Sequence, residues 1–260
     1  GEGNETTYTY DKVGRLLTET DALGGVTAYT YDLAGNQLSV IDPEGNVTKY
    51  VYDLLGRAVE QINADGSKTR TVYDALGRTT ESYDELGGKT ATTYDANGNQ
   101  LTVTDPKGNK TSYQYNRKDQ ITVITYADGG ETRYAYNALG NVSEVTDQNG
   151  NATKYTYDAM DRVLTVTDPR GGVTTYTYTD RGDVATETDA EGYTVSYEYD
   201  GNHNMVKKTT VDGDTTYVYD ELDRLVSTTT PDGKTENIEY DGKGQVTAST
   251  DKGGHTTKYV

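Results

Sequence analysis

The dominant feature of this sequence is a tyrosine that recurs every 21 residues along the whole chain. Ten of the eleven intervals between successive copies are 21 residues long, and the interval from Tyr199 to Tyr219 is 20. Such spacing is typical of tandem repeats, in which each repeat is one supersecondary unit packed on its neighbours. The twelve repeat tyrosines are Tyr10, Tyr31, Tyr52, Tyr73, Tyr94, Tyr115, Tyr136, Tyr157, Tyr178, Tyr199, Tyr219 and Tyr240.

Each repeat tyrosine ends a segment that has the alternation of a β-strand. In nine of the twelve repeats a second tyrosine stands two residues earlier, and in ten a threonine stands four residues earlier. The first copy contains Thr6, Tyr8 and Tyr10. Because side chains two residues apart lie on the same face of a strand, the pattern predicts strands with threonine and tyrosine on one face.

Two tight turns divide each repeat. The first follows the tyrosine and has the form Asp-x-x-Gly, although Asp119, Asp161 and His203 stand where glycine is usual. Aspartate can accept a hydrogen bond from the backbone two residues on, and glycine supplies the positive φ that such a turn needs. The second turn ends on a glycine 14 residues after the tyrosine in all twelve repeats. These second-turn glycines are Gly24, Gly45, Gly66, Gly87, Gly108, Gly129, Gly150, Gly171, Gly192, Gly213, Gly233 and Gly254.

Two short turns per repeat force each strand to pair antiparallel with the next one along the chain. No 3.6-residue periodicity indicates a helix. The sequence therefore predicts an all-β fold, a continuous antiparallel sheet of tandem 21-residue β-hairpin repeats with strands from 6–10 to 256–260, 25 in all. So wide a sheet must twist, and we expect it to coil into a spiral or solenoid. Residues 1–260 are expected to form a single array of about twelve repeats, a fragment of a longer array or a short relative.

Composition adds two constraints. Valine, leucine and isoleucine make up only 41 of 260 residues and the net charge is −18, which is a composition typical of disorder. The 25 tyrosines and the strict period favour instead an ordered β-rich chain with a thin core. We expect tyrosine rings to pack between aliphatic residues of the intervening strands, such as Leu17 and Leu38. The negative charge argues against nucleic acid and anionic membrane surfaces as partners.

The run from Tyr8 to Leu16 (Tyr-Thr-Tyr-Asp-Lys-Val-Gly-Arg-Leu) resembles the consensus of the YD or RHS repeat family, and phased copies cover essentially the whole chain. The resemblance implies a β-sheet that forms a section of a hollow shell, as in bacterial polymorphic toxins, insecticidal toxin complexes and teneurins. In the toxin members the shell encloses a toxic polypeptide, and in teneurins it presents surfaces for cell–cell contact. The sequence contains no recognisable toxin, plug or cleavage domain.

The most suggestive chemical motif is Asp-Pro-x-Gly, which occurs at 42–45, 105–108 and 168–171. The toxin relatives use a similar string for aspartyl self-cleavage. All three copies here occupy the second-turn position, where proline presets φ for the first central residue. We therefore interpret them as turns.

The aspartates and histidines also have a turn interpretation. A ladder of carboxylates could bind hard cations, but the second-turn aspartate moves by two positions between repeats, as from Asp21 to Asp65. His203 and His255 lack a Cys or His partner at ligand spacing and replace ordinary turn residues. We predict no catalytic, cofactor-binding or metal-binding residues, and no enzymatic activity. The repeat tyrosines and second-turn glycines are predicted to be structural.

The sequence favours a non-catalytic structural scaffold, the wall segment of an exported YD/RHS shell that encloses or displays another polypeptide or a surface. The alternative is a carbohydrate- or cell-surface-binding repeat module that uses exposed tyrosines. Modules of that kind rely on tryptophan, which this chain lacks. We expect a secreted or cell-surface protein whose export signal is not in this sequence, and whose partner is an enclosed polypeptide or a surface glycan or protein. Neither nucleic-acid binding nor membrane insertion is expected. The open edge strands predict a monomer or a weak closed dimer.

Overall fold

A computed structural model describes residues 5–259. Within this range the chain forms 25 β-strands and no helix, so the prediction of an all-β repeat fold is confirmed. It therefore also holds no helix able to cross a membrane. The chain divides into two compact units, one ending at Glu131 and the other beginning at Thr132.

In the first unit, consecutive strands pair antiparallel in chain order from β1 to β12. The predicted first strand, 6–10, begins one residue later. The strands are β1 (Thr7–Tyr10), β2 (Leu16–Thr20), β3 (Val26–Tyr31), β4 (Gln37–Ile41), β5 (Val47–Tyr52), β6 (Ala58–Ile62), β7 (Lys68–Tyr73), β8 (Thr79–Tyr83), β9 (Lys89–Tyr94), β10 (Gln100–Thr104), β11 (Lys110–Tyr115) and β12 (Ile121–Thr125).

In the second unit, the same antiparallel pairing runs from β13 to β25. The predicted last strand, 256–260, ends at Lys258, and Val260 lies outside the described residues. The strands are β13 (Glu131–Tyr136), β14 (Val142–Thr146), β15 (Ala152–Tyr157), β16 (Val163–Thr167), β17 (Val173–Tyr178), β18 (Val184–Thr188), β19 (Thr194–Tyr199), β20 (Met205–Thr210), β21 (Gly213–Tyr219), β22 (Leu225–Thr229), β23 (Thr235–Tyr240), β24 (Val246–Thr250) and β25 (Thr256–Lys258).

The first turns close as their sequence predicts. In the third repeat, the N–H of Gly56 donates to the carbonyl of Asp53 and the N–H of Asp53 donates to the carbonyl of Arg57, both at 3.0 Å. The Asp53 carboxylate accepts from the N–H groups of Leu55 and Arg57 at 2.9 and 3.0 Å. The register shifts between Val51 and Tyr52, so a β-bulge accompanies the turn. Local hydrogen bonding thus fixes the hairpin geometry.

Positive φ is required at the end of both turns. All twelve second-turn glycines have φ between +78° and +114°. Non-glycine residues also adopt positive φ at the end of some first turns: Asp119, Asp161 and His203 at +59°, +62° and +70°. The sequence analysis overlooked a fourth, Asp223, at +58°. Aspartate and histidine are among the side chains that tolerate this left-handed region best.

The repeat tyrosines define one face of the sheet in each unit, which we call the tyrosine face. Tyr29 lies opposite Val40 on the next strand, and Val40 lies opposite Thr48 on the strand after that. Both tyrosines of the strand, Tyr29 and Tyr31, are half-buried, as alternation along the strand requires. Crossing this face from strand to strand, a tyrosine is therefore followed by an aliphatic or polar residue of the intervening strand, and then by a threonine.

The opposite face is rich in hydroxyl groups. Hydroxyl oxygens of paired residues lie 2.6 Å apart in Thr30–Ser39, Thr156–Thr165 and Thr177–Thr186. Such cross-strand pairs stabilise a sheet without requiring burial. This face is therefore suited to contact with water.

The expected packed tyrosine core is not what forms. Among the described residues only Val123 and Ala248 are buried, at 7% and 4% exposure. Both pair with polar residues on the hydroxyl face, Val123 with Gln114 and Ala248 with Glu239. Backbone ladders and contacts between neighbouring strands therefore hold each unit together, because the described residues bury so little apolar surface.

Candidate functional site: the tyrosine face and the first turns

The second tyrosine of a repeat reaches back to the repeat before it. The hydroxyl of Tyr52 donates to the carbonyl of Gln37 at 2.9 Å, and that of Tyr178 donates to the carbonyl of Val163 at 2.7 Å. The acceptor is 15 residues earlier in both cases, so the bond joins two repeats. The same bond is made by Tyr31, Tyr73, Tyr94, Tyr115, Tyr157 and Tyr240, and by Tyr219 to a carbonyl 14 residues earlier.

These tyrosines are not free for ligand chemistry. Partial burial raises the pKa of Tyr52 and of Tyr157 above its usual value, which keeps the phenol protonated as a donor. The strongly exposed tyrosines are Tyr8, Tyr10, Tyr193 and Tyr259, at 49, 58, 60 and 52%.

An arginine on many first turns forms a second link between repeats. In the third repeat, Arg57 Nε donates to the Asp53 carboxylate at 2.7 Å. Its Nη1 donates to the carbonyl of Asp74 in the next repeat at 3.2 Å, and its guanidinium lies 4.7 Å from the ring centre of Tyr73. Arg57 therefore combines an ion pair, a hydrogen bond and a cation–π contact in one side chain.

The same arrangement recurs in both units. Arg15, Arg78 and Arg224 make all three contacts, and Arg162 makes the ion pair and the ring contact. Sequence reasoning missed this role. Its signal was the recurrence of arginine four residues after the turn aspartate, which places the two side chains on one turn.

The turn aspartates are occupied by their own turns. The hydrogen bond from the Arg57 side chain is the main influence that lowers the pKa of Asp53, and the backbone N–H of Arg57 adds to it. For Asp74 the backbone N–H of Arg78 is the main influence lowering the pKa. These carboxylates are ionised acceptors in structural bonds.

The Asp-Pro-x-Gly motif at 42–45 forms a closed turn. The Asp42 carboxylate accepts from the backbone N–H and the side-chain amide of Asn46 at 2.7 and 2.8 Å, and the amide bond chiefly lowers the pKa of Asp42. Gly45 N–H donates to the Asp42 carbonyl at 3.0 Å. The geometry matches the turn interpretation, with the carboxylate held inside its own loop.

The histidines lie apart from each other on different turns. His203 Nδ1 lies 2.8 Å from Asp183 of the preceding repeat, and His255 Nδ1 lies 3.3 Å from Asp251 of its own turn. Within residues 5–259, no group of three His, Cys, Asp or Glu side chains is arranged to hold a metal ion. The turn carboxylates are spread along the edges of the sheet, one turn at a time.

These features define the class of protein: a tandem β-hairpin array whose side-chain chemistry links one repeat to the next. The chain belongs to the RHS repeat family. The family, described as RHS Repeat, matches residues 10–47, 31–68, 52–90, 73–110, 94–132, 136–173, 178–215 and 206–235. The resemblance found in the sequence is thereby confirmed.

Solved structures share the fold. The crystal structures of TcdB2-TccC3-Cdc42 and of TcdB2-TccC3 each match 96% of this chain with a TM-score of 0.55 and 18% identity. The crystal structure of TcdB2-TccC3 without hypervariable C-terminal region matches with a TM-score of 0.54 and 17% identity. The chain spans 18% of the length of these proteins. No curated protein matches the sequence.

Proposed function

We propose that this chain is a non-catalytic wall segment of an exported RHS shell or surface array, which encloses or displays another polypeptide. The observation that carries the proposal is that recurring polar side chains form contacts between repeats. The repeat tyrosines and first-turn arginines bond to adjacent repeats, as in Tyr52 to Gln37 and Arg57 to Asp74. Side chains engaged in this way maintain an extended wall.

Family and fold support the same function. RHS repeats match most of the chain, and the structures that share the fold are multi-component complexes by name. In such a setting the twelve repeats act as one array, and the polypeptide that it encloses or displays is a separate segment or chain.

Protease protection tests enclosure. The array, in the polypeptide in which it naturally occurs, is treated with protease before and after the repeat links are weakened by combined Tyr52→Phe and Arg57→Lys substitutions. We expect segments outside the array to survive in the parent and to be cut faster in the variant. A matched variant, Tyr10→Phe with Arg170→Lys, changes exposed residues and should behave like the parent. Cutting of these segments in the parent as fast as in the variant, at the rate of an unprotected chain, refutes enclosure.

The carbohydrate-binding alternative is tested separately by calorimetric titration with soluble glucans. Because the interior tyrosine hydroxyls are occupied by backbone carbonyls, we expect no heat of binding. Saturable binding that Tyr10→Ala or Tyr193→Ala abolishes favours the alternative instead.

A further inference from the structure

Most first turns carry a residue that contacts the first turn of the following repeat. We call it the linking residue; it is the fifth residue of the turn, as Arg57 is in Asp53–Arg57. The residue it meets is the fourth turn residue of the next repeat, 20 positions later. The residue types at the two positions are correlated along the sequence. Wherever the linking residue is arginine, in five repeats, the fourth turn residue of the next repeat is glycine. Wherever that fourth residue is not glycine, in four repeats, the linking residue before it is asparagine or aspartate.

The pairs form two classes. The first consists of Arg15–Gly35, Arg57–Gly77, Arg78–Gly98, Arg162–Gly182 and Arg224–Gly244. The second consists of Asn99–Asp119, Asn141–Asp161, Asp183–His203 and Asn204–Asp223, the last separated by 19 positions.

In the arginine class the guanidinium needs no partner on the fourth turn residue. Arg57, for example, is already bonded to its own aspartate and to the next carbonyl, and it lies over the next tyrosine. At three of the five boundaries the guanidinium also lies close to the glycine, since a Cβ on Gly77 would stand 3.6 Å from Arg57 Nη1, whereas the Cβ positions of Gly35 and Gly98 have no atom within 4 Å. A longer side chain on Gly77 would extend into the space that the guanidinium fills.

In the second class, which we call the asparagine class, the fourth turn residue forms a hydrogen bond with the linking side chain. Asn99 Nδ2 donates to Asp95 of its own turn at 3.0 Å and to Asp119 of the next turn at 2.8 Å. Asn97 also donates to Asp119, at 2.9 Å. These bonds offset the strain of positive φ at aspartate.

The remaining pairs of this class follow the same rule. Asn204 and Asn202 donate to Asp223 at 2.7 and 2.8 Å. Asn141 donates to Asp161 at 2.6 Å. In Asp183–His203 the linking residue is the carboxylate and the fourth residue is the ring, 2.8 Å away. Each pair joins complementary polar groups across a repeat boundary.

We propose that the linking residue and the fourth turn residue are a recognition pair that determines which repeat can dock beside which. A first turn with arginine accepts only a hairpin whose fourth residue is glycine, and a hairpin whose fourth residue is aspartate docks only beside a first turn with asparagine. The partner that this surface fits is another RHS hairpin of the matching class. Near-identical repeats risk pairing in the wrong order, and the recognition pair opposes this. The proposal does not depend on what the array encloses.

The boundary between Asn36 and Gly56 provides the test, because it joins asparagine to glycine. A Cβ on Gly56 would stand 3.3 Å from Asn36 Oδ1 and 3.8 Å from its Nδ2, so Gly56→Asp would place a carboxylate beside this amide. Asn36 Nδ2 already donates to Asp32 at 2.8 Å, and a rotation of the amide would let it donate to the new carboxylate as well, as Asn99 does to Asp95 and Asp119. Gly56→Asp is compared in the parent and in an Asn36→Ala background by urea unfolding of the full chain. We expect its cost to be at least about threefold smaller, as a ratio of unfolding equilibrium constants, when Asn36 is present.

Gly45→Asp is the matched control. Gly45 has φ +85° and no atom within 4 Å of its Cβ position, so the strain is similar and no partner is available. Its cost should be the same with and without Asn36. Equal costs for Gly56→Asp in the two backgrounds overturn the proposal.

Asp119 provides an independent measurement on an existing pair. Asp119→Gly removes the strain of positive φ at residue 119. In a background in which Asn97 and Asn99 are replaced by alanine, this relief should slow hydrogen exchange of the turn. In the parent, the same substitution should speed exchange at residue 119, whose N–H donates to Asn116. Slower exchange in both backgrounds means that strain alone governs this turn, and the recognition pair is then wrong.

Discussion

The phenolic oxygen of Tyr52 lies 2.9 Å from the carbonyl oxygen of Gln37 in the preceding repeat. The ring is half-buried on the tyrosine face while its polar tip satisfies a backbone acceptor. Phenylalanine could provide the ring but not the bond. Nine repeat tyrosines make this bond, and at those positions phenylalanine, which the chain lacks, could not replace them in it.

Removing that hydroxyl should weaken the array. Tyr52→Phe leaves the ring in place and deprives the Gln37 carbonyl of its donor, so we expect a loss of about 1 kcal/mol in unfolding free energy. Urea unfolding followed by circular dichroism measures it. Tyr10→Phe, at a tyrosine that is 58% exposed, should change the midpoint little. Equal effects at the two sites contradict the proposed bond.

Arginine cannot be exchanged for lysine at the first turns. In Arg78→Lys the ammonium can keep one contact but not the ion pair, the carbonyl bond and the ring contact with Tyr94 together. The lost cation–π contact alone should cost about 0.5–1 kcal/mol. Arg170→Lys, on an exposed second turn, is the control and should be silent. The urea midpoints of both variants check this prediction.

Stability should fall in acid. The pKa of Asp53 is below its usual 3.8 in the folded chain, chiefly because of the Arg57 side-chain bond. A depressed folded pKa contributes stability above the unfolded value, and that contribution is lost as pH falls through the folded pKa. The stability difference between the parent and Asp53→Asn should therefore be full above about pH 4 and shrink below it. A difference that stays constant down to about pH 2 contradicts the carboxylate's role.

The turn glycines should differ according to φ. Gly45 has φ +85°, so Gly45→Ala should destabilise by about 1 kcal/mol. Gly201 lies in a first turn without positive φ and with open space around its Cβ position. Gly201→Ala should be neutral or stabilise by about 0.4–1 kcal/mol, because it restricts the unfolded chain. Thermal melts of both variants distinguish conformational strain from a general intolerance of alanine in turns.

Local patterns explain why the strands were predictable. The alternation that ends at Tyr31 and the turn that begins at Asp32 are fixed by neighbouring residues, and both recur in phase. The links between repeats depend on register: the pairing of β4 with β5 brings Tyr52 near the start of β4, where its hydroxyl reaches Gln37, and no residue pattern states that offset. The packed core was wrongly expected because alternation identifies a face without showing what covers it.

The links from Tyr52 and Arg57 reach only to the adjacent repeat, and this has a mechanical consequence. Among residues 5–259 the strand contacts join consecutive strands, so pulling on the chain meets no contact there between distant repeats that must break first. The chain should lengthen by releasing hairpins one at a time, each of 21 residues and roughly 70 Å of contour. Under force the array then unfolds in many small steps of similar size, one hairpin at a time, and released hairpins can fold again.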